Sequence, residues 1–180
     1  IVAEKKIHNF SEIQLVSREK FVSELGSFSV TFESGKTLQN NFYQDSISIL
    51  ENINTLKGMH FQSGEFAQAK LVTVLQGAIL DYFIDLRKDS STYLDYGKVL
   101  LDDGNNDMLF IPKGFAHGYI TQKQKTIISY KLDAAYNPDF EITLLWNDPK
   151  INIQWPEVNN MHISKKDIEG LEFKEIEKLL

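Results

Sequence analysis

The chain has 180 residues, of which 42% are hydrophobic and 24% are charged, a balance typical of one folded domain spanning residues 1–180. Its formal net charge of −6 and the absence of any Lys/Arg-rich run argue against a nucleic-acid partner. It contains no cysteine, which excludes disulfides, thiolate nucleophiles and cysteine metal sites.

The predicted elements are mainly β-strands, because the chain contains twelve Phe, seven Tyr and many Ile, Val and Thr. Segment 70–85 is the most distinct, since two β-rich runs meet there at Gln76-Gly77, a pair typical of a tight turn between antiparallel strands. In chain order, the predicted strands are 27–33, 42–49, the two arms of 70–85, 98–101, 108–111, 117–121, 126–132 and 142–146. Turn-forming residues separate them, and many short strands of this kind predict a β-sandwich or barrel.

Helical periodicity is convincing only near the C-terminus. Ser164 is the predicted N-cap of a short helix that begins with Lys165, and residues 173–180 form a second predicted helix. The predicted fold is therefore one β-domain with a helical tail.

The four histidines are candidate bases, because histidine titrates near neutral pH. His8 lies in a polar N-terminal segment, and His162 lies in a predicted loop before the helical tail, so both are expected to be ordinary surface residues. His60 comes just before the long strand pair, and His117 stands at the mouth of another predicted strand. From the residues alone, each of these two is either a hydrogen-bonded structural histidine or a base.

A series of motifs follows in one order along residues 40–170: Lys57-Gly-Met-His-Phe-Gln62, Ala67-Gln-Ala-Lys-Leu-Val72, Asp85-Leu-Arg-Lys-Asp-Ser-Ser-Thr-Tyr93, Ile111-Pro-Lys-Gly-Phe-Ala-His-Gly118, Tyr130-Lys131 with Tyr136, Trp146-Asn-Asp-Pro149, Ile153-Gln-Trp-Pro156 and Ser164-Lys-Lys-Asp167. In content, order and spacing these motifs resemble the dTDP-4-dehydrorhamnose 3,5-epimerases. The resemblance implies a cupin jelly roll, usually assembled as a homodimer. It also implies a reaction that inverts C3 and C5 of a 4-keto-6-deoxy sugar carried by a nucleoside diphosphate, through an enolate.

The resemblance assigns the proton-transfer roles. His60 becomes the base, Asp167 orients and stabilises its ring, Tyr130 is the acid on the opposite face, and Lys70 steadies the oxyanion at C4. From the residues alone, Lys70 could be a solvated strand charge, Tyr130 a core aromatic and Asp167 a residue of the first helical turn.

The resemblance also implies a set of binding residues. Asp81 and His117 would line the same pocket, and Tyr136 would close over the sugar. Lys57 stands where the family has an Arg expected to hold a diphosphate oxygen, so the charge is kept but the bidentate fork is lost.

Two further segments depart from the family pattern at nucleotide-binding positions. Segment 17–24 matches the family's Asp-x-Arg-Gly-x-Phe-x-Glu only faintly; Glu24 matches its last residue, but Glu19 falls where an Arg contacts phosphate. Gln44 begins the segment that reads Gln-Asp-Asn-His-Ser in the family, and Ser46 replaces the amide there. The reaction type is therefore predicted more firmly than the nucleotide or the sugar.

No cofactor is expected. Gln62 stands at a ligand position of metal-dependent cupins, and the cation of Lys70 would oppose a divalent ion. Nothing resembles the glycine-rich loop that binds a nicotinamide dinucleotide.

Three alternatives stay open on the sequence: a single-centre epimerase, a 3,4-ketoisomerase, and a non-catalytic cupin that binds a sugar nucleotide. Retention of His60, Tyr130, Lys70 and Asp167 together favours an enzyme, because binding alone needs no base and no opposed acid.

A cytoplasmic location is predicted. The lack of cysteine agrees with a reducing compartment, and no apolar stretch approaches the roughly 20 residues of a membrane span. Charge at positions 4–6, where a signal peptide would have its apolar core, predicts no secretion signal.

Overall fold

The computed structural model describes residues 3–7 and 9–180. His8 lies outside the described residues. The strands are β1 Ala3–Ile7, β2 Phe10–Ser17, β3 Phe21–Ser23, β4 Gly26–Phe28, β5 Gln44–Leu50, β6 Thr55–Gln62, β7 Lys70–Gln76, β8 Ala78–Asp85, β9 Tyr96–Asp102, β10 Asp107–Ile111, β11 Phe115–Thr121, β12 Thr126–Leu132, β13 Glu141–Thr143 and β14 His162–Ile163. The α-helices are α1 Lys165–Ile168 and α2 Phe173–Ile176, and 3-10 turns cover Gly64–Phe66 and Glu177–Leu179.

Two antiparallel sheets form the body of the protein. The first has the order β1-β2-β10-β7-β12-β5, and the second has the order β13-β6-β11-β8-β9, with β14 added in parallel to β6. The hairpin β3–β4 forms a separate two-stranded sheet. The predicted mainly β class with short C-terminal helices is confirmed.

Three apolar clusters explain why so many strands are buried on both faces. One lies between the sheets and includes Ile13, Phe83 and Ile128. A second covers the outer face of the second sheet with residues of the C-terminal segment, and a third covers the outer face of the first sheet with residues of the 30–42 segment. The folded chain thus has a layer of irregular structure on each side of the sandwich.

The C-terminal segment is fixed by a buried carboxylate. Asp148 accepts hydrogen bonds from the backbone N–H groups of Lys150, Ile151 and Phe173, the last at 2.7 Å. The predicted N-cap is present, since the Ser164 side chain accepts a hydrogen bond from the backbone N–H of Asp167. These contacts hold α1 and its carboxylate close to β6.

Several predicted strand bounds were wrong. Residues 29–33 form no strand, because β4 ends at Phe28 and the chain then turns so that Phe32 packs on the outer face of the first sheet. Strand β13 ends at Thr143 rather than at 146, because the chain bends into a turn closed by the N–H of Asp148 and the carbonyl of Leu145. His162 is exposed as expected, but it lies in β14 and not in a loop.

No helix in the described part of the chain is long and apolar enough to cross a membrane.

Candidate active site

The candidate site lies between the two sheets, on positions that point inward. Strands alternate their side chains between faces, so Lys70 and Val72 of β7 share a face, as do His117 and Tyr119 of β11. A cavity of about 80 Å³ is lined by ten residues: Ser48, Lys57, His60, Lys70, Val72, His117, Gly118, Tyr119, Ile128 and Tyr130. The structure therefore brings five of the predicted site residues to one cavity.

The two histidines of the cavity lie opposite each other on paired strands. His117 of β11 is in register with His60 of β6. Strands β6 and β11 approach each other closely beside the two histidines, so that a Cβ at Gly118 would lie only 2.5 Å from the sulfur of Met59. Gly58 has a φ of +128°, a conformation that glycine adopts readily. Glycine at both positions permits this packing.

His60 forms a hydrogen-bonded pair with Asp167. Nε2 of His60 lies 2.5 Å from Oδ1 of Asp167, and the Ser164 hydroxyl donates to Oδ2 at 2.8 Å. Burial alone would raise the pKa of Asp167, but the hydrogen bonds and charge of His60, Ser164 and the Gly58 N–H hold it below its ordinary value. The carboxylate stays ionised at neutral pH and can stabilise a protonated imidazole.

Lys70 is the first residue of β7, and its half-buried side chain lines the cavity. Burial lowers the pKa of Lys70 to about 8, against the opposing charges of Asp81 and Glu141. It forms no ion pair within 4.0 Å among the described residues, so its charge can serve a bound anion.

Asp81 and His117 form a second histidine–carboxylate pair. Nε2 of His117 lies 2.8 Å from Oδ2 of Asp81, whose side chain is fully buried. Burial raises the pKa of Asp81, and the charges of His117 and Lys70 oppose this rise. The pair places a carboxylate behind Lys70, where it supports the lysine's positive charge.

Tyr130 faces His60 across the cavity. It belongs to β12 of the first sheet, whereas His60 belongs to β6 of the second sheet, and both line the cavity. A planar substrate held between the sheets would thus have a histidine on one face and a phenol on the other.

Four predicted binding residues do not line the cavity: Asp81, which contacts the lining residue His117, and Gln44, Glu24 and Tyr136. Gln44 begins β5 and donates to the Ser46 hydroxyl at 3.1 Å. Glu24 is exposed at the turn of the β3–β4 hairpin. Tyr136 lies in the loop between β12 and β13 with 52% of its surface exposed.

Sequence reasoning missed Tyr119 and Glu141. Tyr119 is buried, lines the cavity and hydrogen-bonds to Ser48, and burial raises its pKa. The sequence contained a signal for Tyr119, because the residue two places after His117 on a strand lies on the same face of the sheet. Glu141 interacts electrostatically with His60 and Lys70, and it was missed because the strand was predicted to begin one residue later.

Within the residues that the structure describes, no group of three or more His, Asp or Glu side chains is arranged to hold a metal ion.

A protein-family model described as dTDP-4-dehydrorhamnose 3,5-epimerase matches residues 8–175 of the chain. The chain belongs to the dTDP-4-dehydrorhamnose 3,5-epimerase family. The resemblance seen in the motifs is thereby confirmed, and the protein is an epimerase of the isomerase class. The family member of Sinorhizobium fredii is 37% identical over 163 residues, which cover 88% of this chain and 84% of that protein.

Two solved structures of the family have the same fold. The epimerase of Bacillus anthracis, crystallised with TDP and PPi, superposes with a TM-score of 0.89 at 34% identity and covers 96% of this chain and 99% of that chain. The epimerase of Legionella pneumophila, in complex with dTDP-4-keto-L-rhamnose, superposes with a TM-score of 0.93 at 28% identity. The match covers 99% of this chain and 96% of that chain. The cupin jelly roll predicted for the family is the fold found here.

Proposed function

We propose that this epimerase inverts C3, C5 or both of a 4-keto-6-deoxy sugar attached to a nucleoside diphosphate. One observation carries the proposal: His60 and Tyr130 line the same cavity from opposite sheets, and Lys70 lines it as well. Inversion needs a base on one face of a carbon and an acid on the other, whereas a binding module needs neither. The Legionella relative's complex with dTDP-4-keto-L-rhamnose supports a dTDP-linked sugar as the substrate class.

His60 is the proposed base. The C4 ketone acidifies the C–H bonds at C3 and C5, so the imidazole can remove a proton and leave an enolate. Asp167, held by Ser164, fixes the ring and stabilises the imidazolium that forms. Because Nε2 contacts Asp167, Nδ1 is the nitrogen proposed to remove the proton.

Lys70 is the proposed group that stabilises the enolate. Negative charge develops on the C4 oxygen as the proton leaves, and a buried cation stabilises such a charge more strongly than a solvated one does. The Asp81–His117 pair would keep the ammonium of Lys70 charged and in place. Tyr130 then returns a proton to the face opposite His60, which inverts the carbon.

The rate should fall as the pH rises through about 8, because Lys70 is charged below its pKa of about 8 and neutral above it. Stabilisation of the enolate is complete below that pH and is lost above it. In Asp81→Asn, one charge that raises the pKa of Lys70 is gone, so the midpoint should move to lower pH. Profiles of kcat/KM against pH, which report on groups of the free enzyme, test this for both proteins, and an unchanged midpoint in Asp81→Asn would contradict it.

Lys57 is the proposed diphosphate ligand. It lines the cavity, and an acidic protein must hold an anionic ligand with local cations. Lys57→Ala should raise KM about 10- to 100-fold, in line with about 1.5–3 kcal/mol for a hydrogen bond to a charged group, and should leave kcat nearly unchanged. Lys57→Arg should keep the low KM. A fall in kcat without a change in KM would contradict this role.

The remaining predicted binding residues keep their proposed roles. Gln44 and Glu24 are proposed to contact the nucleotide, Tyr136 to cover the sugar, and His117, with Asp81 bonded to it, to line the pocket. Gln44 is suited to this by its place on β5, the strand that also supplies Ser48 to the cavity.

We also propose a homodimer. The β3–β4 hairpin exposes Phe21, Val22 and Leu25, and the edge strand β5 exposes Ile47 and Ile49. Exposed apolar patches of this kind mark contact surfaces. Sedimentation velocity should give twice the mass of the chain, and a concentration-independent monomer would contradict the dimer.

A single domain and a cytoplasmic location complete the proposal. Strands from both halves of the chain contribute to the cluster between the sheets, which supports one domain over residues 1–180. The lack of cysteine supports a reducing compartment.

Proton NMR in deuterated water tests the function. The protein is incubated with dTDP-4-keto-6-deoxyglucose, and deuterium should enter at both C3 and C5. Exchange at C3 alone would indicate a single-centre epimerase or a 3,4-ketoisomerase. No exchange with any 4-keto sugar nucleotide would contradict the proposal.

A further inference from the structure

We propose that Glu141 is a positioning residue of this active site, which holds the ring of Tyr136 at the rim of the cavity. The inference rests on the proposed function and adds a residue to its machinery. Oε2 of Glu141 accepts a hydrogen bond from the Tyr136 hydroxyl at 2.8 Å and one from Nζ of Lys166 at 2.6 Å.

The position of Glu141 links the rim to the reacting groups. Glu141 begins β13, which pairs with β6, and Thr143 of the same strand is in register with His60. The Glu141 carboxylate interacts electrostatically with both His60 and Lys70. The Tyr136 hydroxyl, 2.8 Å from this carboxylate, is therefore tied to the strand that pairs with β6 next to His60.

The backbone on both sides of Tyr136 is held from the same place. Gln62, in register with Glu141, is buried; its amide donates to the carbonyl of Ala135 at 3.1 Å and accepts from the N–H of Asn137 at 2.8 Å. Gln62 thus fixes the loop, while Glu141 fixes the side chain that the loop carries.

The ring of Tyr136 depends on this single bond for its direction. The residue is 52% exposed, and its hydroxyl makes one hydrogen bond to another side chain in the described part of the protein, the bond to Glu141. Burial would raise the pKa of Glu141, but its hydrogen bonds to Lys166 and Tyr136 hold it below the ordinary value. The acceptor is therefore ionised, and a charged acceptor gives the stronger bond.

A double-mutant cycle separates positioning from a structural role. Tyr136→Phe keeps the ring and removes the bond, and Glu141→Ala removes the acceptor. Each should raise KM for the sugar nucleotide about three- to tenfold, with a smaller change in kcat, because a partly exposed bond to a charged group is worth less than a buried one. The KM of the double variant should not exceed that of the single variant with the higher KM, since both changes break the same bond.

Conservative and control variants complete the experiment. Glu141→Gln keeps a neutral acceptor and should recover part of the affinity. Glu169→Ala, which breaks an exposed pair with Lys165 on α1, should leave KM unchanged. Because Tyr136→Phe alters an exposed side chain, it reports on the bond even where Glu141→Ala unfolds.

The outcomes are distinct. Additive KM effects in the cycle, or a Tyr136→Phe variant with the KM of the unaltered protein, would overturn the inference while leaving the proposed function intact. An unaltered protein that exchanges no deuterium into a 4-keto sugar nucleotide would instead overturn the proposed function. Thermal unfolding of each variant shows whether a loss of affinity reflects loss of the fold.

Discussion

His60→Ala is expected to abolish deuterium exchange at both C3 and C5. Without the imidazole no group removes the proton, so no enolate forms at either carbon. The Asp167 carboxylate is a far weaker base than an imidazole, and it stays hydrogen-bonded to Ser164, so it does not replace His60. General acid–base catalysis contributes about 10²–10⁴-fold, so the loss in kcat should be at least about a hundredfold.

The matched control for this variant is His162→Ala. His162 lies on β14, which pairs with β6, but its side chain is exposed. The control should keep full activity, and both variants should keep the circular dichroism of the unaltered protein. Exchange that continues in His60→Ala at a rate within threefold of the unaltered protein would remove His60 as the base.

Lys70→Met is expected to lower kcat by about 10²–10³-fold, the cost of removing one oxyanion-stabilising group. Methionine keeps most of the length of the side chain and removes the charge. The effect should fall on kcat rather than on KM, because the oxyanion forms only as the reaction proceeds. Steady-state kinetics by NMR, with KM and kcat determined separately, measures this division.

Lys98→Met provides the control for Lys70→Met. Lys98 is exposed on β9, with its ammonium 6.0 Å from the centre of the Tyr82 ring, on the outer side of the second sheet. Lys98→Met should have the kcat and KM of the unaltered protein. If Lys70→Met raised KM and left kcat unchanged, Lys70 would bind the ground state and would not stabilise the enolate.

The hairpin that carries Lys70 and Asp81 was predictable from the sequence. Two β-rich runs meet at Gly77, whose φ of +86° is one that glycine adopts readily, and β7 and β8 end and begin on either side of it. The short helix α1 was predictable for a similar local reason, since Ser164 is an N-cap by its own chemistry.

Strands β2 and β6 were not predictable in the same way. Ile13 packs between the sheets and Val16 packs on the outer face, so β2 lacks the alternation of polar and apolar residues that marks a half-buried strand. Strand β6 carries Lys57, Gly58 and His60, because it forms the site, and these residues hide its β-character.

The contacts of Glu141 also lay beyond sequence reasoning. Lys166 is 25 residues away in the chain, and only the packing of α1 against β6 brings the two side chains to 2.6 Å. Motif resemblance named His60 together with its partner Asp167, whereas the contacts of Glu141 emerge only from the tertiary structure.

The central claim is that His60 and Tyr130 act on opposite faces of the sugar, and the Tyr130→Phe variant tests it most directly. In deuterated water, His60 can still remove a proton and return a solvent deuteron to the same face, so exchange should continue while inversion at C5 slows. Both signals are read in one NMR experiment. The account predicts that exchange outruns inversion in Tyr130→Phe, and equal losses of exchange and inversion would contradict it.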